Sequence, residues 1–261
     1  MKQRLEDLYS TYNRRCYVHP DPLEYVYHFE ARSDREIAGL IASAFAFGRV
    51  SQILLTLERV FTIMGPSPST YLEHASRKSL SKDFNGFVYR FVRDRHVVDL
   101  LMGIKDLVAD FGSLENSFVY KLSHDDETVV PSMCFFVKQL LKNHRDPGYL
   151  LALPEKGSAC KRMNLFLRWM VRKDDVDTGA WTCLLPERLI IPLDTHMHKI
   201  SRNLGLTTRN QADMKTALDI TQAFGHINPA DPVKYDFALT RFGIRDDLDL
   251  SRIPGFFKGG R

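Results

Sequence analysis

Apolar residues recur at intervals of three and four along nearly the whole chain, with polar residues between them, which is the spacing of amphipathic helices. The N-terminal MKQRLEDLYS reads as a polar amphipathic helix. Ser33-Asp34-Arg35-Glu36 has the S-x-x-E form of a capping box, and Ile37, Leu40, Ile41, Ala44 and Phe45 follow at helical spacing. Gly48 interrupts, and QILLTLERVF resumes as a second piece ended by GPSPS. Residues 86 to 111 form a third helical region, with Phe87, Phe91, Leu100, Leu101, Ile104 and Leu107 apolar and Gly112 closing it. Pro131 opens another helix, carrying Phe135, Phe136, Val137, Leu140 and Leu141, which runs out at HRDPG.

Met163, Phe166, Leu167 and Met170 mark the apolar face of the next helix, and the segment from Lys173 to Pro186 is irregular and acidic. A short helix after Asp194 turns Met197, Ile200 and Leu204 inward and stops at Gly205. Asp231-Pro232 reads as an N-cap followed by proline at the first helical position, opening VKYDFALTRF, and the tail GFFKGGR reads as loose. Alternation of the strand type never lasts more than a few residues, and there is no repeat and no low-complexity tract. The predicted fold class is all-α.

At 261 residues, with 44% hydrophobic and 26% charged, the chain can bury a sizeable core as one large domain or two close-packed lobes. No apolar run is long enough for a bilayer, and the polar start is unlike a signal peptide, so a cytoplasmic protein is expected. The net charge of +4 permits nucleic-acid binding without requiring it. Cys16, Cys134, Cys160 and Cys183 are scattered, without a CxxC pair, so no metal, iron–sulfur cluster or other cofactor is expected.

Two stretches carry candidate chemistry. In KGSACKRMN, small residues allow a tight turn with exposed amides, and a helix starting there would suit a phosphate. Lys161 sits at the positive end of that helix with Arg162 beside it, an unfavourable place for two cations unless an anion docks or the lysine is wanted uncharged. An ordinary interhelical turn accounts for the same residues. In LIIPLDTHMHKISRNLGL, Asp194 stands at an N-cap position, preceded by proline and apolar residues. From Thr195 to Ala212 there is no acidic residue, whereas Lys199, Arg202 and Arg209 are basic and His196 and His198 can become so. That run fits a polyanion, or a plain solvated face.

Gly157, Lys161 and Asn164 resemble the hairpin of the helix-hairpin-helix DNA glycosylase superfamily, whose usual pattern is L-P-G-x-G-x-K-T-A-N. Ala159 replaces the second glycine, and Glu155 and Lys156 are two extra residues after LP. Leu193-Asp194-Thr195-His196-Met197, with the helix to Leu204-Gly205-Leu206, is similar to the superfamily's V-D-T-H-V and following helix. LIASAFAFGRVSQI looks like its early helix and turn, with Gly48 where some relatives carry a glutamine that fills the gap left by an extruded base; Arg49 or another residue would take that role. The resemblance spans about residues 35 to 245, and the thirty-three positions from Lys161 to Asp194 are closer to the archaeal 8-oxoguanine glycosylase branch than to the endonuclease III branch. Both that branch and this chain lack the cluster cysteines, so a bacterial branch without an iron–sulfur cluster is implied.

The resemblance implies a two-lobed glycosylase-like fold. One lobe is formed by residues 1–35 and 192–261, and the other by residues 36–191 with the hairpin at about 150–172. It implies base excision from double-stranded DNA by a nucleoid-associated monomer, with Lys161 forming a Schiff base and Asp194 assisting base departure. Gly157, Ser158, Ala159, Cys160, Arg162, Arg49, His196, Lys199 and Arg202 would contact DNA, and Phe166, Trp169 and Trp181 are base-pocket or core residues. A monovalent or divalent cation at the hairpin is compatible with this. An oxidised purine is the expected target. A non-catalytic DNA-binding or lesion-recognition module on the same fold, and an enzyme acting on RNA or nucleosides, stay open.

Overall fold

The computed structural model describes residues 1–143, 145–245 and 248, and the tail GFFKGGR lies outside the described residues. The protein is mostly helical; the described residues form a single two-stranded sheet. Helix α1 (Lys2–Tyr12) is followed by short 3-10 turns, then α2 (Arg32–Ala44), α3 (Val50–Met64), α4 (Pro68–His74) and α5 (Arg77–Asp83). A β-hairpin of β1 (Val88–Tyr89) and β2 (Val92–Arg93) leads into α6 (Asp94–Phe111) and α7 (Leu114–Val119). Then come α8 (Val130–Leu140), α9 (Lys161–Val171), α10 (Thr195–Asn203), α11 (Met214–Gly225) and α12 (Asp236–Ile244).

The apolar stripes bury as their spacing requires. Met163, Phe166, Leu167 and Met170 of α9 are all buried, as are Ile37, Leu40 and Ile41 of α2, which packs against it. Near the chain's two ends α1 packs on α12, and α12 on α10. One cluster of buried apolar side chains runs from Leu5 to Phe242.

Three local expectations are corrected. Ser33 is no cap: α2 starts before it, its hydroxyl meets Ser69, and Glu36 instead accepts the Leu114 N–H at 2.9 Å and an Arg32 Nε–H at 3.1 Å. The stretch from residue 86 is not continuous helix. Gly86 and Arg90 take positive φ, +70° and +51°, so the chain turns and pairs Tyr89 with Val92 before α6 begins. Asp231 does not open α12 either; its carboxylate accepts from Arg172 Nε at 2.9 Å, residues 232–235 form a turn, and the helix starts at Asp236.

Buried acids tie the irregular segments to the helices. Glu115 has no exposed surface; its carboxylate pairs with Arg32 and accepts the Thr182 and Cys183 N–H groups. Such a group is tolerated inside only because its lone pairs are met.

Two helical glycines mark close approaches. A Cβ on Gly103 would stand 2.8 Å from the Leu140 carbonyl oxygen, which cannot move without shifting α8. On Gly39 it would stand 2.8 Å from the Met170 methyl, which can rotate away. Gly103→Ala is therefore expected to lower stability by about 1–3 kcal/mol in urea titration, and Gly39→Ala by less than about 1 kcal/mol because helix propensity offsets the contact.

Candidate functional site

Lys161 is the first residue of α9, where the chain leaves a tightly tied turn. A 3-10 turn at Pro154–Lys156 ends at Gly157, whose φ of +76° admits glycine readily. The Gly157 carbonyl accepts the Met214 N–H at 3.0 Å, and the Asn164 amide donates to the Ala159 carbonyl at 3.0 Å, so the turn is locked from both sides. Cys160 takes φ +46° and caps α9 without a side-chain bond. Between α8 and α9 lie twenty residues with two short 3-10 turns, Gly148–Leu150 and Pro154–Lys156.

Asp194 comes from the other end of the site. Its Oδ1 accepts the Met197 N–H at 2.8 Å, capping α10, and its Oδ2 stands 3.6 Å from Lys161 Nζ. One oxygen holds the helix while the other meets the amine. The side chains are 17% and 32% exposed respectively, so both reach solvent from a sheltered position.

That position is a cleft of about 430 Å³, lined by residues of α3, α9 and α12, by residues 192–196 and by Pro20, Asp21 and Pro22. Lys161, Asp194 and His196 all line it, as do Phe47 and Gly48. His196 packs so closely on α12 that a Cβ on Gly243 would stand 2.3 Å from its Nδ1.

Ionic groups make the floor. Arg168 bonds Asp236 and, at 3.2 Å, Asp177; Arg241 Nη2 donates to Asp21 Oδ2 at 2.7 Å. Asp236, Arg168, Arg241 and Asp21 all line the cleft. Burial pushes the Asp236 carboxyl up to about 6 against the pull of Arg168, with Asp194 adding to the rise. Burial opposes charge on Arg168 too, but Asp177, Asp236 and Asp21 outweigh it and hold the guanidinium charged. Asp236 Oδ1 and Arg241 Nε and Nη1 have no hydrogen-bond partner among the described residues. Sequence reasoning missed this floor. Its signal was two charges, Asp236 and Arg241, set inside an otherwise apolar helical run.

Other expected site residues fall elsewhere. Phe166, Trp169 and Trp181 are 0%, 0% and 3% exposed and belong to the core: the apolar face of α9 packs on α2, and Trp181 packs against Phe166 and Phe118. Arg162 is directed inward; its Nη1 donates to the Ala44 carbonyl at 2.8 Å and its guanidinium lies 5.0 Å from both the Phe47 and Tyr149 rings. The neighbour of the Lys161 amine is thus a carboxylate rather than the expected second cation. The Gly157 N–H is used by Pro154 and the Cys160 N–H by Ser158 Oγ, so neither amide is open. Ala159 and Cys160 are buried, and burial pushes the Cys160 thiol up to about 11. Ser158 is half-buried and forms a bridge with Asp213. Arg209, from the basic run, is engaged by Asp213 and Thr216.

Arg49, Lys199 and Arg202 are exposed. Lys199 and Arg202 line a groove of about 440 Å³ that shares Thr195 and Ala212 with the cleft. No cluster of three or more histidine, cysteine or acidic side chains suited to a metal occurs among the described residues, and all four cysteines are free. No helix among those residues is long and apolar enough to cross a membrane.

Residues 21–245 match the family described as "Protein of unknown function (DUF2400)". The chain belongs to that family. The matched span contains Lys161, Asp194 and the whole ionic floor. No curated protein and no solved structure matches the chain.

Asp194 has a capping role that is separable from its charge. Asp194→Ala is expected to lower stability by about 1 kcal/mol, and Asp194→Asn, which still caps, by a few tenths at most. Urea unfolding of the two variants checks this, and equal losses would show that the cap contributes nothing.

Proposed function

We propose that the protein is a DNA glycosylase with lyase activity, acting in base excision on double-stranded DNA that carries a damaged base. The observation that carries the reading is the Lys161–Asp194 pair: two residues thirty-three positions apart whose amine and carboxylate meet 3.6 Å apart in one cleft. The two-lobed division, the helix-hairpin-helix element and the roles below belong to the same proposal.

Cleavage of a glycosidic bond develops positive charge on the sugar, and a fixed carboxylate beside it stabilises that charge. Asp194 supplies the carboxylate, held in place by the α10 cap. The Lys161 ammonium first gives a proton to water, so that Asp194 stays a carboxylate, and the neutral amine attacks C1′. The C1′–N bond to the base breaks and the base leaves with the electron pair, taking up the proton that water received; the attached nitrogen then passes a proton to O4′, and the sugar ring opens to a Schiff base. Loss of a C2′ proton then expels the 3′ phosphate and cuts the strand. No metal or redox partner enters these steps.

The target nucleotide has to leave the stack, at a cost of about a few kcal/mol that damage lowers. An oxidised purine is the proposed target. Arg49, Lys199 and Arg202, exposed around the two hollows, would hold backbone phosphates and make binding salt-sensitive.

Borohydride trapping on duplex DNA with an abasic site tests the proposal. Wild type is expected to give a covalent adduct, Lys161→Gln none, and Asp194→Asn a rate lower by about 100-fold or more with folding retained. Absence of an adduct from wild type on abasic and lesion-bearing DNA, with DNA still bound, would replace the enzyme by a binding module. Preference for RNA or free nucleosides in a parallel assay would move the substrate class.

A further inference from the structure

Beside the cleft, the β1–β2 hairpin exposes a row of aromatic rings. Its two-residue tip is Arg90 and Phe91, with Arg90 held at φ +51°. Phe91 is 63% exposed and Tyr149 is 51% exposed, whereas Phe45, Phe84, Phe87, Phe118 and Phe136 are fully buried. The Phe91 and Tyr149 rings lie 5.5 Å apart, and Tyr149 meets Phe47 edge-on at 4.8 Å. Phe47 lines the cleft and packs on Tyr89, whose hydroxyl donates to the Phe47 carbonyl. The tip also touches the cleft rim, since a Cβ on Gly48 would stand 2.9 Å from the Arg90 guanidinium. The rings therefore run without a break from solvent to the cleft mouth.

Cations surround the row. The Arg162 guanidinium lies 5.0 Å from both the Phe47 and Tyr149 rings, and that of Arg90 5.7 Å from Phe91. Arg49 and Arg93 are exposed nearby. The neighbouring acids are engaged: Asp94 accepts the Gly86 and Arg95 N–H groups, Asp146 accepts that of Gly148, and Asp99 pairs with Arg77. Single exposed apolar residues need no explanation, but two neighbouring exposed rings, tilted 56° to each other among arginines at a cleft mouth, match one chemistry closely. A nucleobase offers a face to the rings, and its backbone offers a phosphate to the arginines.

We propose that Phe91 and Tyr149 form a stacking platform for an unpaired nucleobase of DNA next to the one held in the cleft, with Arg90 and Arg93 on the flanking phosphates. The inference rests on the glycosylase reading for what the cleft holds. Aromatic stacking is sequence-tolerant, so the platform recognises an unstacked base of any kind.

Anisotropy titration with labelled single-stranded DNA, and with a duplex carrying one unpaired base, tests it on the full-length protein. Phe91→Ala and Phe91→Leu are each expected to weaken binding about tenfold, and Phe91→Trp to restore it, with the melting temperature unchanged throughout. Unchanged affinity in Phe91→Ala overturns the platform. Wild-type affinity in Phe91→Leu overturns it too, because an apolar contact without stacking would then suffice. Parallel borohydride trapping on wild type separates this outcome from the glycosylase reading. Phe91-dependent affinity without an adduct keeps the platform and removes the enzyme, and an adduct with Phe91-independent affinity does the reverse.

Discussion

Two buried arginines, one in the last turn of α9 and one just past its end, organise the molecule. Arg168 of α9 and Arg172, the residue that ends that helix, are 2% and 3% exposed, and between them they meet Asp177 and Asp236 (Arg168) and Asp174, Asp177 and Asp231 (Arg172). Asp236 is on α12, Asp231 precedes it, and Asp174 accepts the Tyr9 hydroxyl of α1 at 2.9 Å. One charge network therefore fixes α9 against α12, the loop of residues 173–178 and the N-terminal helix. Buried ion pairs contribute little net stability over apolar contacts of the same shape, but each partner is costly to leave alone, which makes the arrangement unforgiving of other geometries. Lys161 starts the helix that this network fixes, and Asp194 begins α10, which packs on α12.

The network also explains which parts of the molecule the sequence made legible. Helical periodicity located α2, α3, α8, α9 and α10, because their apolar stripes bury in the ordinary way. Asp194 was found as a cap, and the family resemblance singled it out together with Lys161. Neither signal revealed Arg168, Asp236 or Arg241 as the cleft floor, since a charged residue on a helix usually marks its solvated face. The acids of residues 174–177 read only as part of an irregular, acidic segment, whereas Asp177 is buried against two arginines. Periodicity likewise ran straight through the hairpin at residues 88–93, where short strands leave no alternation to detect and the turn depends on a positive φ at Arg90.

Burial reassigns the aromatic residues. Phe166, Trp169 and Trp181 pack the core behind α9, and the rings that reach the cleft mouth come from a loop, a hairpin and a 3-10 turn: Phe47, Phe91 and Tyr149. Arg162, adjacent to Lys161 in sequence, serves that aromatic row and not the amine. The consequence is a division of labour across the cleft, with ionic groups below, the amine and carboxylate at the middle, and rings at the edge.

Asp194 joins these parts, since one of its oxygens ends a helix and the other faces the amine. The central claim is that this amine is the nucleophile. Its most direct test is peptide mapping by mass spectrometry of the borohydride-reduced complex with abasic-site DNA. The account predicts that the reduced sugar is found on Lys161. Finding it on Lys199 in the neighbouring groove, or on the N-terminal amine, would contradict the account.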